Sequence, residues 1–321
     1  MNQKNKIENE VKNVLLNNRR EIIFVYDVIR ANPNGDPDDG NRPRMDEQGY
    51  NLVTDLRLKR TIRDYWLSQS KQVLIKRVLK DDKKTVMNLQ DIVTKELEIS
   101  DVDKVSRDEL QNRLPEKYID VRTFGAAVTF KNANISITGP VQFGIGKSLN
   151  KPEIVTMGLT TVLSSTGEQG AGGMGQFHYV DYSLIMFHGI ACEYNSKKTQ
   201  FSEEDLKNVY EGLWMGTKKL NTRSKFNHNP RLLFAVVSKE NEFQIGGLDT
   251  KIKLKDEENI LSCEDAKVVV DELMEILQSY KDKILKIEFK ETKELTYLYK
   301  GEEYSSFADL ISKIGIQLEE I

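Results

Sequence analysis

Three short apolar runs constrain the fold of this chain more than any other feature of its sequence. Residues 22–29, 176–185 and 232–237 are rich in β-branched and aromatic side chains, a composition that predicts strands. The first run is too dense in apolar residues for an exposed face, so it predicts a central strand. At 321 residues and 39% hydrophobic content, the chain can bury such a sheet in one large domain.

Two amphipathic helices are predicted between these strands. Thr54 is a suitable N-cap, and apolar residues recur at helical spacing from Leu58 to Trp66. A second helix follows Ser202. Its apolar stripe consists of Leu206, Val209, Tyr210, Leu213 and Trp214. Strand character is also predicted over residues 121–137. The resulting strand and helix order is βαββαβ, which predicts an α+β fold with a modified ferredoxin-like or RNA-recognition-motif core.

Three segments are predicted to be additions to this core. The charged stretch 71–119 lacks glycine, which predicts a helical insertion. An extended arm at 157–165 leads into residues 167–175, which include five glycines, before the chain returns as a strand; this pattern predicts a projecting β-hairpin. Residues 240–321 predict acidic α/β additions, with a helix over 268–277. We therefore expect the whole chain, residues 1–321, to form a single domain with insertions.

Basic charge is concentrated in two segments. Residues 212–239 contain six lysines and arginines and no acid, although acids number 50 in the chain. Residues 121–152 are also free of acids and contain four basic side chains. The net charge of −3 hides this pattern because residues 256–321 hold 17 acids against 8 basic residues. A solvated surface can carry such a run, but two runs favour a groove for a polyanion such as a nucleic acid.

The sequence Gly146-Lys147-Ser148 imitates the end of a phosphate-binding P-loop. The motif requires glycine at position 141, where this chain has Val141, and Pro152 blocks the helix that should follow. A nucleotide-using enzyme is therefore a minor alternative, and no cofactor is predicted.

Asp36, Asp38 and Asp39 could bind a divalent cation at the end of the first strand, as in a metal-dependent nuclease. Asp-Pro and Asp-Gly are also ordinary turn sequences, and Arg42 and Arg44 are nearby partners. The turn interpretation is favoured, so no metal site is predicted. The three histidines are too scattered for a zinc site.

The cysteines and the N-terminal sequence bear on the compartment. Cys192 and Cys263 lie far apart without a CxxC spacing, so a disulfide framework has no support and a reducing interior is expected. The first residues lack the apolar stretch of a signal peptide, and no window approaches the length of a membrane span. These observations predict a cytoplasmic protein that does not associate with membranes.

Several blocks of sequence carry a resemblance to a known family. The blocks are NPNGDPDDGNRPR at 32–44, VTDLRLKRTIR at 53–63, DVRTFG at 120–125, TGPVQFG at 138–144 and PRLL at 230–233. In these blocks the chain resembles the Cas family-seven backbone subunit of the type I CRISPR Cascade complex, within the RAMP superfamily. The similarity is to the branch of subtypes I-B and I-C.

The resemblance implies a protein without enzymatic activity that polymerises head to tail along a CRISPR guide RNA. Other Cascade subunits and a target DNA strand that pairs with the guide are the further partners it implies. The hairpin, about residues 147–179, would be a thumb that folds over the guide. A related branch, in the type III complexes, cuts target RNA with an acidic residue in the loop where Asp36 or Asp38 lies here. A metal-dependent endoribonuclease is therefore the alternative function.

The resemblance and the charge pattern each assign RNA contacts. The helical segment 58–63 is similar to the LKR element that grips the guide backbone, which carries that role to Lys59, Arg60 and Arg63. The charge pattern adds Arg57, Arg122, Lys131, Lys147, Ser148, Lys218, Lys219, Arg223, Lys225 and Arg231. Apolar residues on the projecting arm are candidates to wedge between bases, and they are Met157, Leu159, Met174 and Phe177.

Overall fold

A computed structural model of the chain describes residues 14–80, 82–131, 134–160 and 174–321. The strands are β1 (Arg20–Ala31), β2 (Gly35–Asp36), β3 (Arg42–Pro43), β4 (Leu52–Val53), β5 (Gly125–Thr129), β6 (Asn134–Thr138), β7 (Val141–Phe143), β8 (Gly146–Ser148), β9 (Ile154–Thr160), β10 (Met174–Ala191), β11 (His228–Ser238), β12 (Lys253–Leu254), β13 (Lys267–Val269), β14 (Ile284–Glu291), β15 (Thr296–Tyr299), β16 (Glu302–Tyr304) and β17 (Leu318–Glu320). The helices are α1 (Asp55–Ser68), α2 (Leu89–Glu96), α3 (Arg107–Lys117), α4 (Ile119–Phe124), α5 (Glu193–Thr199), α6 (Glu203–Lys218), α7 (Asp271–Ser279) and α8 (Phe307–Ile314). The predicted α+β class is confirmed.

The main sheet is organised around β1. Its strand order is β17-β14-β11-β1-β10-β8-β4, and β7 and β9 also pair with β10. β1 lies between β10 and β11 and is antiparallel to both. The prediction that residues 22–29 form a central strand is therefore confirmed.

Both predicted helices of the core form, with the caps expected from the sequence. The hydroxyl of Thr54 accepts a hydrogen bond from the backbone N–H of Arg57 at the start of α1. Ser202 and Asp205 form a reciprocal capping box at the start of α6. The apolar stripes of both helices, including Trp66, pack on one face of the main sheet. Each large apolar side chain buried there contributes about 1.5–3 kcal/mol relative to an exposed one.

The C-terminal additions cover the opposite face of the sheet. Side chains of β1 and β11 that point to this face, among them Phe234, belong to one core with α7 and α8. Phe234 stacks on Phe307 of α8, with ring centroids 4.7 Å apart. Burial on both faces explains why the runs 22–29 and 232–237 are continuously apolar instead of alternating.

The insertion is only partly helical. Its described residues contain α2, α3 and a small core of their own, formed with β5 and β6. The prediction of helix was wrong for residues 71–80 and 82–88, where the structure shows turns and an isolated bridge. Asp82 explains part of this difference, because its carboxylate accepts hydrogen bonds from the N–H groups of Lys84 and Thr85 and so fixes a turn.

Two other predicted boundaries were also wrong. The strand character expected from residue 121 begins only at Gly125, because α4 continues to Phe124. The helix expected over 268–277 begins at Asp271, and the residues before it form β13. Short apolar runs fit a strand and a buried helix equally well, so the sequence does not fix such boundaries.

The predicted hairpin is present in the described residues. Residues 154–160 of β9 pair with residues 174–180 of β10. The whole of β10 is 18 residues long, and it pairs with β1 beyond the hairpin. The paired arms begin at Ile154, whereas Lys147 belongs to β8 of the main sheet. The glycine-rich tip predicted at 167–175 falls mainly outside the described residues.

Gly125 and Gly139, two glycines of the family-like blocks, have their backbones in close contact where α4 passes into β5. A Cβ added to Gly139 would lie 2.3 Å from both the backbone nitrogen of Gly125 and the carbonyl oxygen of Thr123. Gly125 also has a φ of +82°, which favours glycine. The close approach of these backbones therefore requires glycine at both positions.

We expect Gly139→Ala to lower the free energy of unfolding by at least about 2 kcal/mol, because the added methyl group collides with backbone atoms that cannot move independently. Chemical denaturation monitored by circular dichroism measures this change. Gly158→Ala is the matched control, because none of the described atoms lies within 4 Å of its added Cβ; its effect should stay within about 0.5 kcal/mol. Equal stability of the two variants would contradict the packing argument.

Candidate nucleic-acid interface

Half of the predicted basic contact residues are held by carboxylates. The pairs are Lys59–Asp55, Arg60–Asp64, Arg63–Asp120, Arg122–Asp205, Lys147–Asp46 and Arg231–Asp27. Three of these carboxylates, Asp27, Asp120 and Asp205, are buried. A buried carboxylate needs its cation, so Arg63, Arg122 and Arg231 stabilise the fold and are not free to bind RNA in this conformation.

Lys59 and Ser148 are also buried. The Lys59 ammonium donates to Asp55 at 3.0 Å and to the side-chain oxygen of Gln142 at 2.9 Å. The Ser148 hydroxyl accepts from the N–H of Asn51 and donates to the carbonyl of Asn150. These contacts tie β7 and β8 to α1 and β4. Arg60 and Lys147 keep 55% and 48% of their side-chain surface exposed, so their ion pairs are weak.

The remaining six basic residues form no ion pair with a carboxylate among the residues that the structure describes, although the charge of Asp64 acts on Arg57 at longer range. Lys131 follows β5 and is exposed. The other five lie at the N-terminal end of α1 or between the end of α6 and the start of β11, and we call them the basic junction: Arg57, Lys218, Lys219, Arg223 and Lys225. Lys218, Lys219 and Arg223 are exposed. The basic junction is therefore the strongest positive surface among the predicted residues.

Asn32 connects the elements that meet at the basic junction. Its backbone N–H donates to the carbonyl of Ser224 at 2.9 Å, and its carbonyl accepts from the Lys225 ammonium at 2.6 Å. Its side-chain amide donates to the carbonyls of Asn41 and His178. A single buried residue thus joins the loop after β1, the segment before β11 and the root of the hairpin. This role was not predicted from the sequence, although Asn32 opens the family-like block 32–44.

One face of the hairpin carries three of the four predicted wedge residues. Phe177 lies opposite Met157 in the register, and Gly175 lies opposite Leu159, so these positions share a face. Met157 is 50% exposed. The guanidinium of Arg223 lies 5.5 Å from the centroid of the Phe177 ring, which places this face beside the basic junction. The side chain of Met174 lies outside the described residues.

Phe226 was not among the residues predicted to contact RNA. This side chain is 59% exposed and follows Lys225 in the segment before β11. An exposed aromatic ring beside basic groups is the composition of a stacking surface for bases. The signal was present, because Phe226 lies within the acid-free run 212–239, but its exposure could not be read from the sequence.

Two of the three aspartates of the 32–44 loop form the arginine pairs that the turn interpretation predicted. Asp36 lies 2.9 Å from Arg44, and Asp39 lies 3.8 Å from Arg42. The described residues include no group of three histidine, cysteine or carboxylate side chains arranged to bind a metal ion. Lys147 lies on a strand, not at the start of a helix, which is incompatible with the geometry of a P-loop.

Comparison with known proteins identifies the family. Residues 18–271 match the family described as CRISPR-associated protein Cas7. The chain belongs to the Cas7 family. A CRISPR-associated protein Cas7 of Haloferax volcanii is 29% identical over 290 residues, which cover 83% of this chain and 85% of the relative. The family predicted from the sequence blocks is therefore confirmed.

Solved structures show the fold that this Cas7 family member shares. A chain of a CRISPR RNA-guided surveillance complex in a pre-nicking state aligns with a TM-score of 0.53 at 12% identity, covering 92% of this chain and 99% of that chain. A chain of a second CRISPR RNA-guided surveillance complex aligns with a TM-score of 0.51 at 13% identity, covering 92% and 98%. Within the described residues, no helix combines the length and hydropathy needed to cross a bilayer.

Proposed function

We propose that this Cas7 family chain is a non-catalytic backbone subunit of a cytoplasmic type I CRISPR surveillance complex, of the subtype I-B or I-C branch. In this proposal it polymerises head to tail along the guide RNA and presents the guide for pairing with target DNA. The observation that carries the proposal is the basic junction, whose five basic side chains form no ion pair with a carboxylate in the described structure. Two of them reach the hairpin: Lys225 through Asn32, and Arg223 at the ring of Phe177. Such a surface binds a sugar-phosphate backbone without reading its sequence.

The order of the central strands supports a modified ferredoxin-like core. β11-β1-β10-β8 is the order of a βαββαβ unit whose fourth strand lies beside the first, and α1 and α6 pack on the same face. An open RNA-recognition motif binds bases on its free sheet face. Here the C-terminal additions cover that face. The guide is therefore proposed to run across the ends of the strands, at the basic junction.

The proposed RNA contacts follow from the exposure of the predicted residues. The basic junction supplies the main phosphate contacts, and Arg60, Lys131 and Lys147 add exposed charge. The hairpin acts as the thumb, with Met157, Leu159 and Phe177 on its wedge face. Lys59, Arg63, Arg122, Ser148 and Arg231 are proposed to support the surface from behind, because their partners are already in place.

The charge distribution supports head-to-tail assembly. Residues 256–321 carry 17 acids against 8 basic residues, whereas the basic junction lies at the hairpin root. A net acidic segment and a basic surface on one chain are consistent with heterologous contacts, in which each copy presents a different surface to its neighbour. Sequence specificity would then come from base pairing between guide and target.

Copurification tests the proposed function. The chain expressed alone should elute with bound RNA, as a high absorbance ratio at the nucleic-acid wavelength, and should form filaments or large oligomers in electron micrographs. Nuclease treatment should shorten or dissolve these assemblies, because the RNA holds successive copies together. A monomer free of RNA would overturn the proposal.

The endoribonuclease alternative is tested on the same material. Guide-loaded protein incubated with complementary RNA and Mg²⁺ should leave the target intact. Cleavage at regular spacing that disappears in Asp36→Ala would favour the alternative, because the loop aspartate would then act as a metal ligand.

A further inference from the structure

β17 leaves one edge of the main sheet open. It is the last strand in the sheet order, and no described strand pairs with its outer side. The backbones of Gln317 and Ile321 form hydrogen bonds with β14. Alternate residues of a parallel strand face opposite neighbours, so the N–H and C=O groups of Leu318 and Glu320 point outward. Such an edge is a template for pairing with a strand of another chain.

A cavity of about 290 Å³ lies beside this edge, between α6 and the sheet. Its apolar lining consists of Trp214, Met215, Leu233 and Ile321. Its charged lining has three glutamates against two lysines, Lys207 and Lys290. The ammonium of Lys290 already lies 5.7 Å from the centroid of the Trp214 ring. An apolar cavity with a net acidic rim fits apolar side chains that are flanked by basic groups.

The insertion carries a second open edge. Leu79 and Val86 lie opposite each other in an isolated antiparallel bridge. The hydrogen bonds of this bridge are donated by the residues that follow them, Lys80 and Met87. Leu79 and Val86 therefore turn their own N–H and C=O groups outward. Their side chains are 44% and 45% exposed, so this edge presents an apolar pair to solvent.

The sequence around this pair is basic. Residues 76–84 contain five lysines and arginines against two acids. Lys83 and Lys84 are exposed and form no ion pair within the part of the chain that the structure describes. The edge of the insertion is therefore complementary to the β17 edge and its cavity in both charge and polarity.

The two open edges belong to opposite sides of the main sheet. The chain leaves the insertion through α4, where the carbonyl of Phe124 accepts a hydrogen bond from the side chain of Gln142. Gln142 belongs to β7, which pairs with β10, whereas β17 lies beyond β11 and β14 on the other side of β1. A contact between these edges therefore joins two copies through different surfaces, which makes it heterologous and open-ended.

We propose that residues 78–80 of one copy add as a strand to β17 of the next copy, with Leu79 and Val86 entering the cavity beside β17. The inference rests on the proposed function, because the guide RNA brings the copies side by side. Backbone hydrogen bonds hold the added strand, and the cavity selects its side chains. Both edges are short, so the contact is weak by itself and depends on the effective concentration that a shared RNA provides.

Disulfide trapping of the protein assembled on a long single-stranded RNA tests the contact. A chain with both Leu79→Cys and Glu320→Cys should give, on mild oxidation, a ladder of covalent dimers, trimers and larger species on a non-reducing gel. Each substitution alone should give only the background of the wild type, which has Cys192 and Cys263. An equal mixture of the two single variants should give dimers and no ladder, because the contact is heterologous.

Leu261→Cys combined with Glu320→Cys is the matched control, because Leu261 is 64% exposed and belongs to neither edge. Reversal of Lys83 and Lys84 to glutamate in the double-cysteine chain should remove most of the ladder. Thermal melting of each variant establishes that folded proteins are compared.

A ladder of equal yield from the control pair would overturn the inference. Absence of the ladder from the test pair, while the protein still assembles on RNA, would also overturn it and would leave the proposed function intact. A wild type that neither binds RNA nor assembles would remove the proposed function and the inference together.

Discussion

Charge reversal of Lys218, Lys219 and Arg223 should raise the dissociation constant for single-stranded RNA by about 100-fold or more at moderate salt. These three side chains are exposed and have no carboxylate partner among the described residues. Each phosphate contact with a single strand releases condensed counterions and contributes about −0.7 to the slope of log affinity against log salt. Losing three contacts should therefore flatten that slope by about 2. Fluorescence anisotropy over a range of KCl concentrations measures both quantities.

A second triple variant tests whether the loss of affinity depends on the basic junction or on net charge alone. Lys197, Lys255 and Lys293 are exposed lysines outside the basic junction, so their reversal changes the net charge by the same amount. We expect this control to bind RNA with nearly the wild-type salt slope. Equal loss of affinity in both triple variants would show that net charge, and not the basic junction, governs binding.

Asp120→Ala should lower the free energy of unfolding by about 3–5 kcal/mol. Asp120 is fully buried and accepts hydrogen bonds from Arg63 at 2.9 Å and from the N–H groups of Leu74 and Ile75 at 2.8 and 3.1 Å. Its loss leaves a guanidinium and two amides without partners, in the place where α1 meets the insertion. Urea denaturation measures the change.

Asp64→Ala provides the comparison for this ion pair. Asp64 also pairs with an arginine of α1, but its side chain is 41% exposed, so its removal should cost less than about 0.5 kcal/mol. If the two variants were equally stable, the Arg63–Asp120 contact would have no structural role and Arg63 would return to the list of RNA contacts.

Local sequence was sufficient for the elements of the core. The high proportion of apolar side chains in residues 22–29 predicted a central strand, and the caps at Thr54 and Ser202 predicted where α1 and α6 begin. These features depend on residues a few positions apart. Periodicity and capping report such short-range preferences well.

Local sequence was not sufficient to tell which basic residues face solvent. Arg122 lies in an acid-free segment, yet it forms a bidentate pair with Asp205 from another part of the chain. Arg231 likewise pairs with Asp27, which belongs to the central strand. Segregation of charge along the chain is not segregation in space, because folding brings distant carboxylates to these arginines. Of the six basic residues without an ion pair in the described structure, four lie at the end of α6 or before β11: Lys218, Lys219, Arg223 and Lys225.

The continuity of β10 has a mechanical consequence. One strand forms an arm of the hairpin and then a central member of the sheet, bonded to β1 along most of its length. A change of angle at Val180 would have to break hydrogen bonds between β10 and its neighbouring strands, so we expect the hairpin to move with the main sheet and not as a separate flap. The twist of the sheet then sets the direction of the hairpin, and every copy in the proposed filament would hold its hairpin at the same angle.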